Sequence, residues 1–440
     1  MIRPASTCLL VATLGLAAPA VAQTPLTVTE AIARARAHNP DAGVSAAAER
    51  EAVQRLTQAR AGYLPKVDVA ESWQRGNQPV FVFSSLLSQR QFTAADFALN
   101  ALNHPDAVDN FRSAVMIEQS LFDGATRANV AAAGIGRDMA ATARVMVDHD
   151  LAASVTGAYG RVLVATAASQ SAAAAAEAAR ADRTLAGNRR DAGLVTDADV
   201  LQIDVYLART REQQIRAAAD ERIARAQLNQ LMGQPLGEVF ALELYPATAT
   251  IDVANLASLE EEAVKNRPDV KLAALQEQLA GAAQTAARAA FLPQVAAQGG
   301  WEFNGGAWNS RSSSWVVGAV ARINVFHGFA DKARLAEAHE QAARRALERM
   351  KADTAARLDV HMAVARLDAA RASEAVGRAG VDQARESRRI IRDRYEAGLT
   401  DVASLLRAAE AVAQAETQQT AAQVAVITEA AVLERTLGRR

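Results

Sequence analysis

The chain has 440 residues and a balanced charge, with 48 Lys and Arg against 49 Asp and Glu, so nothing argues for nucleic acid as a partner. Its one cysteine, Cys8, lies in a predicted signal peptide, which excludes disulfides and thiol catalysis from the mature protein. Aromatic residues make up only 5% of the chain, a composition that favours long, closely packed helices over a bulky globular core.

Residues 1–22 have the pattern of a secretory signal peptide. Arg3 supplies the positive start, an apolar run follows, and an A-x-A cleavage motif occupies 20–22. The apolar run is too short to span a bilayer as a helix. We therefore expect an exported protein whose mature chain starts at Gln23.

The first structural repeat is predicted to span residues 23–233. It opens with a helical pattern at about 28–61, which begins at a capping box of Thr27 and Glu30 and is interrupted at Pro40. The elements that follow are a strand at about 66–74, a loop at about 76–110, a strand at about 111–121, a long helix at about 125–190, a tip near 193–197 and a helix at about 199–232.

The second structural repeat is predicted to span residues 256–440, after a linker at 234–255. It repeats the plan of the first half with a shorter loop between its strands, at 305–313. Its elements are a strand at about 294–304, a strand at about 314–325, a long helix at about 330–396, a tip near 398–402 and a helix at about 402–437.

Sequence similarity between the halves supports this duplication. At an offset of 228, the matched pairs include Pro40 and Pro268, Pro65 and Pro293, and Trp73 and Trp301. At an offset of 205, they include Gly193 and Gly398, Leu228 and Leu433, and Gly233 and Gly438. Two halves with one plan predict a duplicated unit packed on itself.

The two long segments are interpreted as helices because they contain no proline and few glycines. At 1.5 Å per residue each would be about 100 Å long, a length typical of coiled coils, helical repeats or membrane spans. Charged residues such as Arg161, Arg183 and Asp353 interrupt both segments, which argues against a membrane span.

The four strands alternate apolar and polar residues, as the strands of transmembrane β-barrels do. Four strands cannot close a barrel, and an open edge in lipid leaves backbone groups unpaired. If these strands lie in a membrane, several chains must therefore share one barrel. The alternative is a soluble antiparallel sheet with its tryptophans on a buried face. The candidate membrane-interface aromatics are Trp73, Phe111, Trp301, Phe303 and Trp315.

The loop at about 76–110 is longer than its counterpart and rich in apolar residues. These residues are Phe81, Phe83, Leu86, Leu87, Phe92 and Phe97. One interpretation is that the loop packs over the barrel mouth, and the other is a surface loop that varies freely.

Taken in order, the repeated strings resemble the TolC family of outer-membrane efflux and secretion factors over nearly the whole mature chain. The strings are Asn39-Pro40-Asp41, Tyr63-Leu64-Pro65, Gly193-Leu194-Val195-Thr196, Tyr395-Glu396-Ala397-Gly398-Leu399 and the segment from Leu433 to Gly438. The resemblance implies a mainly α fold with a membrane β part. A duplicated unit of long antiparallel helices would form an α-barrel, and four β-strands per chain would contribute to a shared trimeric transmembrane β-barrel. It also implies a homotrimer in the outer membrane of a Gram-negative bacterium that extends into the periplasm.

The resemblance further implies that the turns joining the paired helices form a periplasmic tip that docks onto an adaptor protein. An exposed Leu or Val beside a helix-ending glycine can enter an apolar groove of a partner. The alternative is a plain helix–helix turn. The docking candidates are Gly193, Leu194, Val195, Thr196, Gly398, Leu399 and Thr400.

Charges one to two turns beyond these glycines narrow the tunnel in the family. Asp199 matches the acidic position in the first repeat, but the second repeat has Ser404 and Arg407 there, which favours a mixed ring of charges. The alternative is a solvated charged surface. The gate candidates are Arg189, Arg190, Asp197, Asp199, Arg394, Tyr395, Asp401 and Arg407.

The leading functional hypothesis is a passive conduit for small molecules in a tripartite efflux system, with a periplasmic adaptor, an inner-membrane pump and outer-membrane lipid as partners. One alternative is the exit duct of a type I protein secretion system, and another is a periplasmic coiled-coil scaffold or adaptor. The six histidines form no ligand-spaced cluster, and no nucleophile elbow or phosphate loop occurs. We therefore expect no catalytic site, metal or cofactor.

Overall fold

The computed structural model describes residues 25–243, 253 and 255–439, so the predicted signal peptide lies outside the described residues. The described chain is mainly α-helical with one four-stranded antiparallel sheet, as predicted. The elements of the first half are α1 (Val28–His38), α2 (Pro40–Arg60), β1 (Lys66–Gly76), α3 (Pro79–Ser88), α4 (Leu99–Asn103), β2 (Val108–Phe122), α5 (Gly124–Asp191) and α6 (Asp197–Met232). Those of the second half are α7 (Leu256–Asn266), α8 (Pro268–Ala289), β3 (Gln294–Ala307), β4 (Ser310–Arg322), α9 (Ala330–Glu396) and α10 (Val402–Thr436).

The boundary between α1 and α2 follows from the local sequence. The Thr27 hydroxyl accepts a hydrogen bond from the Glu30 amide at 3.2 Å, and the Glu30 carboxylate accepts one from the Thr27 amide at 3.0 Å, which is the predicted capping box. Pro40 is the first residue of α2, where a backbone N–H is not needed. The Asn39 side chain caps α2 by accepting from the Asp41 amide at 2.7 Å. The interruption predicted at Pro40 is confirmed.

The two long helices organise the helical part. α5 has 68 residues and α9 has 67, which makes each about 100 Å long. α5 packs against α2 and α6, α9 packs against α8 and α10, and contacts of α5 with α8 and α10 join the two halves. By length and composition alone part of α5 could cross a membrane, but within the described part of the chain five helices, α1, α2, α6, α8 and α10, pack along it.

Gly233 and Gly438 mark the points where the shorter helices of each half meet. Both glycines have positive φ, +66° and +71°, and follow the last turns of α6 and α10. A Cβ on Gly233 would lie 2.5 Å from the carbonyl oxygen of His38, and a Cβ on Gly438 would lie 2.8 Å from the carbonyl carbon of Asn266. His38 and Asn266 are related by the offset of 228, and the two glycines are related by the offset of 205. The same contact therefore occurs once in each half.

The apolar cores of the two halves lie beside these junctions. The first core joins α1, α5 and α6 around the buried Tyr159, and the second joins α7, α9 and α10 around Leu367 and Leu433. The Tyr159 hydroxyl lies 2.7 Å from the carbonyl oxygens of Leu26 and Glu243, which links α5 to the segments that flank α1 and α6.

The sheet has the order β1-β2-β3-β4, and each neighbouring pair is antiparallel. Residues directly opposite each other share a face of a sheet, so the register defines two faces. One row of the face that we call the outer face is Val69, Val115, Trp301 and Trp315. One row of the inner face is Lys66, Glu118, Gln298 and Gly318.

The hairpin ends differ from the sequence expectations. β3 and β4 extend into the predicted loop at 305–313, because glycine and serine residues that carry no alternation signal still pair through their backbones. Conversely, the predicted strand at 314–325 ends at Arg322, so 323–325 lie beyond it. Arg322 pairs with Gln294, the first residue of β3, so the pairing of β4 with β3 ends at that residue.

Candidate functional site

Two helix–helix turns form the end of the molecule farthest from the sheet. Gly193 follows α5 with φ +72°, and Gly398 follows α9 with φ +75°. The amide after each glycine donates to the carbonyl five residues earlier at 2.8 Å, the hydrogen bond of a Schellman motif. The positive φ explains why glycine occupies both positions.

The predicted docking candidates all lie in these two turns. Leu194 is 66% exposed and Leu399 is 69% exposed, whereas Val195 and Thr400 are half-buried. Thr196 caps α6. Each turn therefore presents one leucine to solvent at the tip, and docking by these leucines stays a prediction.

Arg189 and Tyr395 join the two hairpins just above the turns. Arg189 Nη1 donates to the carbonyl oxygens of Tyr395 and Glu396 at 3.1 and 2.9 Å, at the C-terminus of α9. Its guanidinium also lies 5.1 Å from the centre of the Tyr395 ring. Tyr395 is 3% exposed and packs with Ile203 and Leu405, and this burial raises the pKa of its hydroxyl.

The acidic gate candidates Asp199 and Asp401 serve as helix caps. The Asp199 carboxylate accepts from the Thr196 amide at 2.9 Å, and the Thr196 hydroxyl accepts from the Asp199 amide at 3.3 Å. Asp401 accepts from the Ser404 amide at 2.9 Å, and hydrogen bonds from Ser404 lower the pKa of Asp401. These two carboxylates therefore have structural partners within their own turns.

The remaining gate candidates lie on the surface of the tip. Arg190 Nη1 lies 3.9 Å from Asp197, and Arg407 Nη2 donates to the Ser404 hydroxyl at 3.2 Å. Arg394 is exposed. Each of these contacts stays within one hairpin, so the structure brings Arg189 and Tyr395 together across the hairpins and leaves the formation of a charge ring a prediction.

Asp182 is a buried acidic residue that the sequence analysis did not identify as a candidate site residue. It lies on α5 and is 3% exposed, and its Oδ2 atom has no hydrogen-bond partner within the described part of the chain. Burial raises the pKa of this carboxyl, while Arg388 and Arg392 oppose the shift. A signal was available, because Asp182 falls between Ala179 and Ala186 at the spacing of a buried helix face.

The five candidate interface aromatics all lie on the outer face of the sheet. The rings of Trp73 and Phe111 are 6.4 Å apart, and those of Trp301 and Phe303 are stacked at 6.1 Å. Trp315 is 73% exposed. Aromatic rings that stand on an apolar outer face are typical of the girdle of a membrane barrel, and their role at a membrane interface stays a prediction.

A polar cluster on the outer face lies toward the hairpin ends. Glu71 breaks the alternation of β1, and its carboxylate accepts a hydrogen bond from the Ser113 hydroxyl. Arg311 Nη2 lies 3.3 Å from Glu71, and the Arg311 guanidinium lies 3.7 Å from the centre of the Trp308 ring. The charge at Glu71 is therefore paired.

The helical walls contain grooves between neighbouring helices. One groove between α5, α6 and α10 has a volume of about 770 Å³ and is lined largely by alanine and valine, together with Arg161, Arg216 and Asp220. Within residues 25–243 and 255–439, no group of three His, Cys, Asp or Glu side chains is arranged to hold a metal ion.

A family model described as outer membrane efflux protein matches residues 31–234 and 259–439. Among curated proteins, the chain is 33% identical over 311 residues to protein CyaE of Bordetella pertussis, and this match covers 69% of the chain. The chain spans 65% of the length of CyaE.

Two solved structures have the same fold. The CmeC outer membrane channel of Campylobacter jejuni has a TM-score of 0.78 at 16% identity, over 93% of this chain and 85% of CmeC. The outer membrane protein VceC of Vibrio cholerae has a TM-score of 0.77 at 18% identity, over 94% of this chain and 96% of VceC. At these identities the likeness shows the fold alone.

Proposed function

The chain belongs to the outer membrane efflux protein family, and we propose that it is the outer-membrane channel subunit of a tripartite efflux system. It lies in the outer membrane and extends into the periplasm. In this proposal it is a passive conduit for small molecules and performs no catalytic step. Its working partners are two further copies of itself, a periplasmic adaptor protein and an inner-membrane pump.

The observation that carries the proposal is the open sheet. β1 and β4 each pair on one side only within the described part of the chain, and their outer faces carry exposed valine and tryptophan side chains. Unpaired backbone groups are not tolerated in lipid. Pairing β4 of one copy with β1 of the next satisfies both edges, and three copies supply twelve strands.

The dimensions of the sheet fit a membrane. β1 has 11 residues, which at a rise of about 3.4 Å per residue reach roughly 37 Å. A strand of that length tilted by about 40° spans roughly 28 Å along the membrane normal, close to the thickness of the hydrocarbon core. The long helices leave the same end of the sheet and extend about 100 Å from it, a length suited to a tunnel through the periplasm.

The tip is the proposed contact with the adaptor. Leu194 and Leu399 are exposed at the ends of the two hairpins, and three copies would present six such leucines around the tunnel end. An apolar side chain held on a capped helix turn can insert into a partner's groove with little loss of conformational freedom. Arg189 and Tyr395, which join the hairpins, are the proposed closing contact of the tunnel.

The experiment that tests the proposal combines fractionation with transport. We expect a heat-labile trimer that sediments with the outer membrane and requires detergent for extraction. Disruption of the gene should increase susceptibility to small toxic compounds, and the intact chain should restore resistance. Recovery of the protein as a soluble monomer from the periplasm would overturn the proposal that it is a channel subunit.

The exit duct of a type I protein secretion system is the second candidate function. It is supported by the resemblance of the repeated strings to a family that includes secretion factors. In that case gene disruption would remove a large protein from the culture medium and leave susceptibility to small compounds unchanged. Family membership does not support the periplasmic scaffold alternative, because the family is one of outer membrane proteins.

A further inference from the structure

The segment between β1 and β2 folds over the inner face of the sheet, at the hairpin end. Gln89 is buried at the end of α3, and its Nε2 donates to Asn110 Oδ1 at 3.1 Å. Asn110 Nδ2 in turn donates to Asn304 Oδ1 at 3.0 Å, and the Ser312 hydroxyl donates to the Gln89 carbonyl oxygen at 2.8 Å. The register puts Asn110, Asn304 and Ser312 on the inner face. The segment therefore lies inside any barrel that the sheet helps to form.

One side of α3 is buried against the sheet, and the other side exposes large apolar residues. Val82 and Ser85 are buried against the sheet, whereas Val80 and Leu87 are 74% and 48% exposed. Phe83 lies on the same exposed side, because helix positions three and four apart share a face. α3 contains no charged residue. A helix that is apolar on the side away from its own sheet is typical of one that is covered on that side as well.

Aromatic residues after α3 extend this apolar surface. The Phe92 ring packs edge-on against Phe83 and Phe97, with centroids 4.9 and 5.0 Å apart. Phe97 is 66% exposed and Leu99 is 76% exposed. We call the exposed surface formed by Val80, Phe83, Leu87, Phe97 and Leu99 the lid surface.

We propose that the lid surfaces of the three protomers pack against one another at the symmetry axis and close the extracellular mouth of the channel. The inference rests on the trimeric channel proposed above. A barrel of twelve strands, spaced about 4.8 Å apart and tilted by about 40°, has a backbone diameter of roughly 24 Å. A helix with its side chains is about 10–12 Å wide, so three copies of α3 inside that ring must touch.

The position of α3 in the chain also favours the lid surfaces of the other protomers as the surfaces that cover it. α3 begins at Pro79, only three residues after β1 ends at Gly76, and in the proposed trimer β1 is the edge that pairs with the neighbouring protomer. The lid surface is thus continuous with the contact between protomers. Because α3 carries no charge, three copies can meet without electrostatic repulsion. The lid closes the channel at the end opposite to the periplasmic tip.

Single-cysteine variants test this contact in the intact trimer. The only cysteine is Cys8, in the predicted signal peptide, so an introduced cysteine is the sole thiol of the mature chain. A short bis-maleimide should link protomers of Leu87→Cys or Phe97→Cys into dimers that persist on a denaturing gel. Val317→Cys is the control, because Val317 is 73% exposed but lies on the outer face, where copies are separated by the barrel. Cross-linking of both lid variants no greater than that of the control would overturn the proposal.

Conductance supplies the functional measurement. Leu87→Asp puts three carboxylates at the axis and should raise the single-channel conductance in planar bilayers severalfold, whereas Leu87→Met should leave it unchanged. Equal conductance of the two variants would overturn the lid. If the unsubstituted chain forms a trimer and the lid tests fail, only the lid is wrong. If it forms no trimer, the proposed function is wrong as well.

Discussion

Comparing an arginine at Val317 with an arginine at Val316 tests which face of the sheet contacts lipid. Val317 and Val316 are adjacent in β4, are 73% and 66% exposed, and lie on the outer and inner faces, respectively. Both can accept a larger side chain without disturbing a core of their own chain. The two variants then differ chiefly in the medium that surrounds the new charge.

The magnitude follows from the position of Val317 within the membrane band. It pairs with Gly299, one outer-face row below Trp301 and Trp315. An arginine that faces lipid near the midplane of a barrel costs about 2–4 kcal/mol, which corresponds to roughly 30- to 1,000-fold in the insertion equilibrium of each chain. Val316→Arg faces the water-filled lumen and avoids this penalty.

The assay is the yield of heat-labile trimer in the outer-membrane fraction at equal expression. We expect Val317→Arg to lose most of its trimer and Val316→Arg to retain it. Asn324 is unsuitable as an inner-face control, because it lies beyond the end of β4 and its side chain donates to Asp331. Equal trimer yields for the two valine variants would refute the assignment of the faces.

Four further predictions concern the helical part. The double variant Leu194→Asp and Leu399→Asp should keep its trimer but lose transport, because a carboxylate entering an apolar groove is desolvated; normal resistance to small compounds would remove the docking role. Arg189→Ala deletes the hydrogen bonds to the end of α9 and should raise passive conductance, and unchanged conductance would exclude it from the gate. The raised pKa of Asp182 means that its carboxyl favours folding most at acid pH and that this contribution is lost as pH rises through the folded pKa. Asp182→Asn should therefore increase the free energy of unfolding at pH 7 by about 1 kcal/mol. The melting temperature should rise accordingly at pH 7 and stay unchanged at acid pH. Gly233→Ala should lower the melting temperature, because the new Cβ would lie 2.5 Å from a carbonyl oxygen at the end of α1; an unchanged value would contradict the close contact.

Much of the candidate site could be predicted from the sequence, because helix ends and caps depend on residues that are close together along the chain. The turns at Gly193 and Gly398 were expected from glycine at the end of long helical segments, and both are capped as such turns are. Asp199 was recognised by its position after the turn, but its hydrogen bonds with Thr196 were not. A capping aspartate and a gate aspartate have the same sequence signature, and only the position of the side chain distinguishes them.

The sequence by itself determined the alternation over most of each strand, the length of the long helices and the duplication at two offsets, because each depends on the pattern of residues along the chain. The tertiary structure decided which residues meet across long separations. Arg189 reaches the end of α9, and Gln89 reaches Ser312, each more than 200 residues away along the chain. Only the tertiary structure also revealed that Asp182 is buried and that α3 covers the inner face of the sheet. Burial and hydrogen-bond partners of this kind depend on how whole elements pack, and no periodicity within one element encodes them.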